Sequence, residues 1–265
     1  MLTDTPNLCE CLSVIIPVHN EEATLARVVQ DLLVIPHLLE IIIVDDGSFD
    51  QTAFVAKNLA ADSSRIVYTR HAKNAGKTAA LKTGLSLTRG RIVIVQDADL
   101  EYHPSDIAQV IQPILDGYAD VVYGSRFLVR KATRVLYFYH SLANKLLTFC
   151  SNLLTNLNLT DVETGYKAFR GEIIREMVIV SQGFGFEIEV TAKVAKLRCA
   201  IYEVPISYYG RTYEEGKKIG FMDLLIAFWL VGRFNLFCSM KGSFKEMPEL
   251  SPPVQHRRVH MLKQG

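Results

Sequence analysis

The stretch RIVIVQDADLEYHP, residues 91–104, joins a short apolar run to three carboxylates within five positions. Its valines and isoleucines predict a strand that is buried on both faces. Asp97, Asp99 and Glu101 follow at once, so their charges are expected where the strand leaves the core. A buried strand that ends in carboxylates indicates a ligand site at that end of a sheet.

Four further apolar runs predict strands of the same kind, at residues 12–17, 40–44, 65–69 and 120–124. The segments between the strands have helical spacing, at residues 21–34, 51–61, 76–87 and 104–116. Alternating strands and helices predict an α/β fold, in which helices flank a mostly parallel sheet on both faces. In such a sheet, ligands bind outside the carboxyl ends of the strands.

Composition limits the class of protein. The chain has 265 residues, 49% hydrophobic and 22% charged, enough for one sizeable core. A formal charge of +1 and a pI near 7.7 predict no bulk affinity for nucleic acid. The five cysteines form no C-x-x-C pair, which favours a reducing compartment. No cationic segment precedes an apolar run at the N-terminus, so we predict a cytoplasmic protein.

The acidic cluster has the ligands for a metal ion. In extended backbone, Asp99 and Glu101 are two residues apart and point to the same side. Oxygen-only ligands suit Mg²⁺ or Mn²⁺ better than zinc. The alternative is that these acids cap the helix predicted to start near Pro104.

The sequence NAGKT, residues 74–78, has the G-K-T of a phosphate-binding loop, but that motif requires a glycine five positions before Gly76. His71 stands there instead. Lys77 is therefore expected at the start of a helix, with a contact at the ligand site as the alternative. No G-x-G-x-x-G follows the first strand, which argues against a dinucleotide-binding dehydrogenase.

Seven motifs occur in an order that resembles a known family. They are PVHNEE (17–22), VDDGS (44–48), NAGKTAAL (74–81), QDADLE (96–101), GSRF (124–127), DVETGYKAF (161–169) and RTYEEGKK (211–218). Together they resemble family 2 of the GT-A glycosyltransferases over residues 12–220. The chain is most similar to the dolichol-phosphate mannosyltransferase branch, which transfers a hexose from a sugar nucleotide to a polyprenyl phosphate.

The resemblance implies a GT-A (Rossmann-like) fold and a donor site for GDP-mannose or a UDP-hexose, with mannose preferred and glucose next. It leaves open which of two aspartates faces the base. By this resemblance, the donor-binding residues are Pro17, His19, Asn20, Glu21, Lys77, Asp97, Ala98 and either Asp45 or Asp46.

The resemblance also implies the charged groups that act on the diphosphate. Asp99 and Glu101 would hold Mg²⁺ or Mn²⁺, although related members often have glutamine in place of Glu101. Arg126 would lie between the donor diphosphate and the acceptor phosphate. Arg211 and Lys217 would come from a loop that closes over the donor.

The acceptor decides whether the reaction needs a base. A phosphate monoester is largely dianionic at neutral pH, so it is already a nucleophile. A saccharide hydroxyl would need a carboxylate base, and Asp161 or Glu163 would be the first candidates. A single in-line displacement predicts inversion at the sugar.

The resemblance is weakest where the acceptor phosphate would bind. The mannosyltransferase branch uses an arginine and a serine one turn apart on the helix after the GSR turn. Here Arg134 is displaced from that pattern, and His140 or Ser141 stands near the serine position.

The segment 219–238 is long enough to span a bilayer, but it contains Asp223 and Arg233. We therefore predict a helix in the membrane interface, anchored by Trp229, with a packed helix at the domain end as the alternative. The aromatic run 137–139 predicts a second exposed surface. The predicted organisation is an N-terminal extension (1–11), a GT-A domain (12–220), an amphipathic membrane-surface helix (221–240) and a flexible basic tail (241–265).

The sequence thus predicts an inverting, metal-dependent hexosyltransferase that acts on a polyprenyl phosphate, peripherally bound to the cytoplasmic face of a membrane. One alternative is a soluble family 2 glycosyltransferase with a saccharide hydroxyl acceptor. Another is a nucleotide-sugar-binding protein without turnover. The oligomeric state is left open.

Overall fold

The computed structural model describes residues 9–128, 137–183, 185–210 and 221–250. Its strands are β1 (Leu12–Val18), β2 (Leu38–Asp45), β3 (Ile66–Arg70), β4 (Ile92–Val95), β5 (Val121–Ser125), β6 (Lys167–Arg170) and β7 (Ile201–Pro205). Its helices are α1 (Leu25–Leu33), α2 (Thr52–Asp62), α3 (Lys77–Leu87), α4 (Ile107–Leu115), α5 (Phe138–Thr155), α6 (Gly171–Glu176), α7 (Phe186–Leu197) and α8 (Phe221–Leu236), and a 3₁₀ turn covers Pro104–Asp106.

The strands form one sheet in the order β3-β2-β1-β4-β6-β5-β7. The pairs β1–β2, β1–β4, β2–β3 and β5–β7 are parallel, whereas β6 is antiparallel to both of its neighbours. The predicted α/β fold with a mostly parallel sheet is therefore confirmed. The five predicted strands are present, but β6 and β7 were missed.

The reversed direction of β6 matters for the site. Because β6 runs against β4 and β5, its first residue, Lys167, pairs with Tyr123 close to the carboxyl end of β5. The segment before it, residues 161–166, therefore lies at the edge where the parallel strands end. This brings the DVETGYKAF motif beside the acidic cluster that follows β4.

The core lies on both faces of the sheet, as the alternation of each central strand requires. On one face, Val14 and Ile16 of β1 pack with the buried sides of α1 and α4. On the other face, Ile15 packs with Leu81 of α3 and with α6 and α7. Helices therefore cover the sheet from both sides.

The helices α5 and α8 form an outer layer with an exposed apolar surface. Inward-facing Leu147 of α5 and Phe234 of α8 pack on Ile188 of α7. The outward side chains of both helices are between 46% and 80% exposed, so they are not part of the core. This α5–α8 apolar surface consists of Phe138, Tyr139, Leu142, Leu146, Phe149 and Leu153 on α5, and Met222, Leu225, Ile226 and Trp229 on α8.

The helix α8 combines features of both sequence-based alternatives, since one side is packed and the other is exposed. It ends at Leu236, four residues before the predicted boundary. Within the described residues, no helix has both the length and the hydropathy needed to cross a bilayer.

The first residues of the segment predicted as a tail, 241–265, pack against the domain. Phe244 is buried and pairs with Met177, and the backbone N–H of Lys245 donates to the carbonyl of Glu176 (2.8 Å). The packed domain therefore includes residues up to at least 245. Residues 251–265 lie outside the described part of the chain.

Gly84 of α3 has no room for a side chain, because a Cβ atom there would lie 2.4 Å from Cγ2 of Ile15. We expect Gly84→Ala to lower the free energy of unfolding by about 1 kcal/mol or more, since overpacking outweighs the gain in helix propensity. In the control, Gly232→Ala on α8, the added Cβ meets nothing within 4 Å in the described structure. That substitution should raise the free energy of unfolding by up to about 1 kcal/mol. Chemical denaturation measures both, and changes of the same sign would contradict the packing argument.

Candidate active site

The turns after β1 and β2 are joined by side-chain hydrogen bonds. The backbone N–H of Asn20 donates to Ser48 Oγ (3.0 Å), and His19 Nδ1 donates to the carbonyl of Asp46 (3.0 Å). Asn20 Nδ2 donates to His19 Nε2 (3.2 Å), so a single neutral imidazole tautomer satisfies both contacts. The fold therefore brings predicted donor residues of two strand ends together.

Pro17 and Glu21 lie at the same strand end. Pro17 is half-buried in β1 opposite Val44 of β2. The backbone N–H of Glu21 donates to Thr52 Oγ1 (2.9 Å), and its carboxylate accepts from the Thr24 hydroxyl (3.1 Å). The entry to α1 is thereby tied to the start of α2.

Asp45 is fully buried at the end of β2. Its carboxylate accepts from the backbone N–H of Ser48 (2.8 Å) and from the Tyr68 hydroxyl (3.3 Å), and lies 3.1 Å from Arg70 Nε. Because three groups of this edge converge on one carboxylate, Asp45 holds the turn after β2 against β3.

Asp46 holds a different loop. Its carboxylate accepts from the backbone N–H groups of Ala75 (3.0 Å) and Gly76 (2.7 Å) and from His71 Nδ1 (2.7 Å). Asp46 therefore positions the NAGKT segment, a role that the motif did not reveal. The adjacent Gly47 has φ +70°, and a Cβ atom there would lie 2.7 Å from Asn74 N, so only glycine allows this approach.

Lys77 is the first residue of α3, as predicted, and it contacts the acidic cluster. Its Nζ lies 2.9 Å from Asp97 Oδ1 and 3.3 Å from Glu187 Oε1. Burial by itself would lower the pKa of Lys77, but the two carboxylates raise it above its usual value, so the ammonium stays charged. The neighbouring Ala98 is buried in the core below this pair.

The expected extended backbone at Asp99 and Glu101 is wrong. The strand β4 ends at Val95, and Leu100 has φ +61°, so residues 98–101 form a turn. Asp99 Oδ1 accepts from the backbone N–H of Glu101 (3.1 Å), and Glu101 Oε2 accepts from the Tyr208 hydroxyl (2.8 Å). The prediction from strand periodicity missed the turn. The side-chain hydrogen bond that stabilises the turn competes with extended backbone and has no periodic pattern.

The donor chemistry of this turn suits a hard divalent ion, since Mg²⁺ is usually held by one or two carboxylates together with phosphate oxygens. Within the described residues, no three side chains of the metal-binding types come together. An ion held by Asp99 and Glu101 would complete its coordination with water or with phosphate oxygens of a bound ligand. The alternative was that the acidic residues cap the following helix. The side-chain cap is instead formed by His103, whose Nδ1 accepts from Ser105 N (3.2 Å) at the helix start.

Arg126 and Asp161 form a bidentate ion pair, with Nε–Oδ2 and Nη2–Oδ1 distances of 2.7 Å each. Both are largely buried, and Asn144 Nδ2 also donates to Asp161 Oδ1 (3.1 Å). Burial raises the pKa of Asp161, but Arg126 outweighs it and holds that pKa below its usual value. Asp161 is therefore a permanent counter-ion of Arg126.

Three tyrosines that sequence reasoning missed support this pair. Tyr102 stacks on Tyr166 with ring centroids 4.8 Å apart, and Tyr208 lies 5.4 Å from Tyr102. The guanidinium of Arg126 lies 5.2 Å from the Tyr208 ring centroid. Because the Tyr208 hydroxyl also binds Glu101, one side chain links the predicted metal turn to the predicted catalytic arginine.

Glu163 and Lys167 are buried charges beside the Arg126–Asp161 pair. Lys167 donates to the carbonyls of Val162 (2.9 Å) and Thr164. Burial raises the pKa of Glu163, with repulsion from Glu187 adding to the rise, and burial lowers the pKa of Lys167. Within the described structure, Glu163 Oε1 has no hydrogen-bond partner.

Two of the predicted acceptor residues, His140 and Ser141, lie one turn before the residue of α5 that contacts this pair. His140 and Ser141 are half-buried in the first turn of α5, where the His140 ring packs 5.9 Å from that of Tyr137. Asn144, one turn further along, is the α5 residue that contacts Asp161. The sequence held a signal for Asn144, because it lies four residues after His140 and so on the same face of the helix.

Three predicted residues, Arg134, Arg211 and Lys217, lie outside the described residues. Their predicted roles in acceptor binding and donor closure therefore stay predictions.

The mostly parallel sheet, with polar side chains at the carboxyl ends of its strands, is the architecture of a glycosyltransferase. The family model described as "Glycosyl transferase family 2" matches residues 13–178. The chain therefore belongs to glycosyl transferase family 2, and it is an enzyme of the dolichol-phosphate mannosyltransferase-like branch.

Two relatives support the branch. The chain is 30% identical to a polyprenol monophosphomannose synthase of Mycolicibacterium smegmatis over 214 residues, covering 78% of this chain and 80% of the relative. It is 30% identical to an undecaprenyl-phosphate mannosyltransferase of Micrococcus luteus over 216 residues, covering 78% and 86%. Each relative is matched over most of its length.

Solved structures share the fold. Glucosyl-3-phosphoglycerate synthase from Mycobacterium tuberculosis, in complex with Mn²⁺ and UDP-glucose, superimposes with a TM-score of 0.63 at 22% identity. The match covers 85% of this chain and 77% of that one. This likeness confirms the GT-A architecture.

Glu163 should make the stability of the protein depend on pH. Since its folded pKa is raised above the ordinary 4.5, it contributes stability below pH 4.5 that is lost as the pH rises through about 7. Over this range, Glu163 should make the free energy of unfolding of the wild type fall by up to about 1.4 kcal/mol per pH unit. Glu163→Gln should abolish that contribution. Denaturation at several pH values tests this. The control, Glu249→Gln at an exposed position, should keep the wild-type slope, and equal slopes in all three proteins would contradict the assignment.

Proposed function

We propose that this chain transfers a hexose, mannose in preference to glucose, from GDP-mannose or a UDP-hexose to a polyprenyl phosphate. The observation that carries this proposal is the two-sided character of α5. Asn144 on one side contacts the Arg126–Asp161 pair, while Leu142, Leu146 and other outward residues belong to the α5–α8 apolar surface. A phosphate near Arg126 could thus continue into a hydrocarbon chain that follows the same helix.

The charges of the site suit departure of a nucleoside diphosphate. Asp99 and Glu101 are the residues that would hold Mg²⁺ or Mn²⁺, and such an ion would offset the negative charge that builds up on the diphosphate. Arg126 is permanently charged and preorganised by Asp161 and Tyr208, so its guanidinium needs little rearrangement during the reaction. Lys77 keeps a second cation beside Asp97.

The state of Asp161 supports a phosphate acceptor over a hydroxyl. A carboxylate whose pKa is lowered by a bidentate arginine is a poor general base. A phosphate monoester dianion needs no base, so the Arg126–Asp161 pair can serve binding alone. One displacement by that phosphate would invert the configuration at the anomeric carbon.

A saccharide hydroxyl acceptor remains the second candidate because of Glu163. Burial raises its pKa to about 7, close to that of an effective general base at neutral pH. Transfer to lipid-free sugars that Glu163→Gln abolishes would favour this function. Transfer to a polyprenyl phosphate that survives Glu163→Gln would favour the first.

The α5–α8 apolar surface supports peripheral attachment to the cytoplasmic face of a membrane, where a polyprenyl phosphate is accessible. Its exposed aromatic and aliphatic side chains are those of an interfacial helix. Arg233 lies 5.1 Å from the Trp229 ring centroid, which keeps this cation close to the anchoring aromatic. Apolar contact with lipid and a nearby basic group are compatible with an anionic membrane surface.

The donor is identified by thermal denaturation with GDP-mannose, UDP-glucose or neither, each with and without Mn²⁺. A donor at about 100 times its dissociation constant adds roughly 2.7 kcal/mol to the free energy of unfolding. The selected donor is then incubated with a polyprenyl phosphate and lipid product is measured. Stabilisation without transfer to any acceptor would reject the proposed reaction and favour a binding protein.

Asp99→Ala should abolish transfer and remove the Mn²⁺-dependent part of donor binding. It should lower the free energy of unfolding of the free protein by about 1 kcal/mol, because the hydrogen bond from the Glu101 N–H to Asp99 is lost. The control is Asp116→Ala at the exposed end of α4, which should keep full activity. Full transfer by the Asp99 variant would exclude the assigned metal turn.

Membrane attachment is measured by flotation with vesicles of mixed zwitterionic and anionic phospholipids. Phe149→Ser and Trp229→Ser should each weaken binding by about 10-fold, since each removes apolar area worth roughly 1.5 kcal/mol. Val34→Ser, at an exposed position after α1, is the control and should float like the wild type. Equal flotation of all four proteins would show that the α5–α8 apolar surface does not bind the membrane.

A further inference from the structure

Phe49 is an exposed aromatic residue in the turn that follows β2, next to the turn that follows β1. Its side chain is 86% exposed, although it directly follows the VDDGS motif. Its ring forms a T-shaped contact with that of His19, with centroids 5.8 Å apart and an interplanar angle of 78°. Because the residue is 86% exposed, most of its ring area remains open to solvent.

The backbone that carries Phe49 is rigidly held. Its N–H donates to Asn20 Oδ1 (3.0 Å), and the carbonyl of Ser48 accepts from Arg70 Nη2 (2.6 Å). Asn20 also binds Ser48 Oγ and the His19 imidazole. These polar contacts hold the backbone of Phe49 in place, so its apolar ring is exposed to solvent from a defined position.

The chemistry of this arrangement fits a flat heteroaromatic ligand. A nucleobase has a π-face that stacks on an aromatic side chain whatever its hydrogen-bonding pattern. The Asn20 side-chain amide lies beside Phe49, since its Oδ1 accepts from the Phe49 N–H, and an amide can form further hydrogen bonds with the edge of a stacked base. Because the backbone of Phe49 is already held, binding would cost little backbone conformational entropy.

We propose that Phe49 is the stacking platform for the base of the donor nucleotide, an inference that rests on the proposed function and assigns a residue to base binding. It separates recognition of the base, by the β1 and β2 turns, from recognition of the diphosphate, by the groups that follow β4 and β5. Phe49 does not take part in the chemical step.

The test compares nucleoside diphosphates with pyrophosphate, which lacks the nucleoside. Calorimetry with GDP and UDP, and with inorganic pyrophosphate, is run in Mn²⁺ on the wild type, Phe49→Ala, Phe49→Tyr and Phe54→Ala. Phe49→Ala should weaken the nucleoside diphosphate that the wild type binds by about 5- to 100-fold, the loss expected for one base stacked on one aromatic ring. Its affinity for pyrophosphate should not change, and Phe49→Tyr should bind like the wild type.

Phe54 is the matched control, because it is 63% exposed on α2 and is a phenylalanine like Phe49. Phe54→Ala should bind both ligands like the wild type. Undiminished nucleotide binding by Phe49→Ala overturns the stacking assignment, and so does an equal loss of nucleotide and pyrophosphate. A wild type that binds neither GDP nor UDP rejects the proposed function itself, whereas normal wild-type binding with an unaffected Phe49→Ala variant rejects only the role of Phe49.

Discussion

The buried ion pair between Arg126 and Asp161 joins parts of the chain that are distant in sequence. Arg126 follows β5, and Asp161 comes from the segment that the antiparallel strand β6 carries to the same edge. Removing one partner would leave an uncompensated buried charge, at a cost of about 3–5 kcal/mol. The geometry of α5, of the tyrosine cluster and of the turn after β4 is organised around this pair through Asn144 and Tyr208.

Asp45 and Asp46 illustrate how a binding motif is also a structural motif. Their carboxylates satisfy backbone N–H groups and cationic or hydroxyl side chains of neighbouring loops. Buried carboxylates of this kind are stabilised by the donors that surround them. They also hold the β1 and β2 turns still, which preorganises any ligand contact made there.

The helix α5 relates the polar site to the protein surface. One side contributes Asn144 to the buried pair, and the opposite side contributes six of the ten residues of the α5–α8 apolar surface. An amphipathic helix normally buries its apolar side. Here much of the apolar side faces outward because the packed side is already occupied by α7 and α8.

The sequence by itself determined the alternating strands and helices, the strand-end polar clusters and the resemblance to family 2 glycosyltransferases, because local hydrophobic periodicity and motif order record these directly. Only the tertiary structure decided that Glu101 and Arg126 share Tyr208, that Asn144 contacts Asp161, and that Phe49 stands beside His19. It also replaced the expected extended backbone at Asp99 with a turn. These features depend on contacts between residues far apart in the chain, or on one side-chain hydrogen bond that outweighs local propensity, and neither has a periodic signature in the sequence.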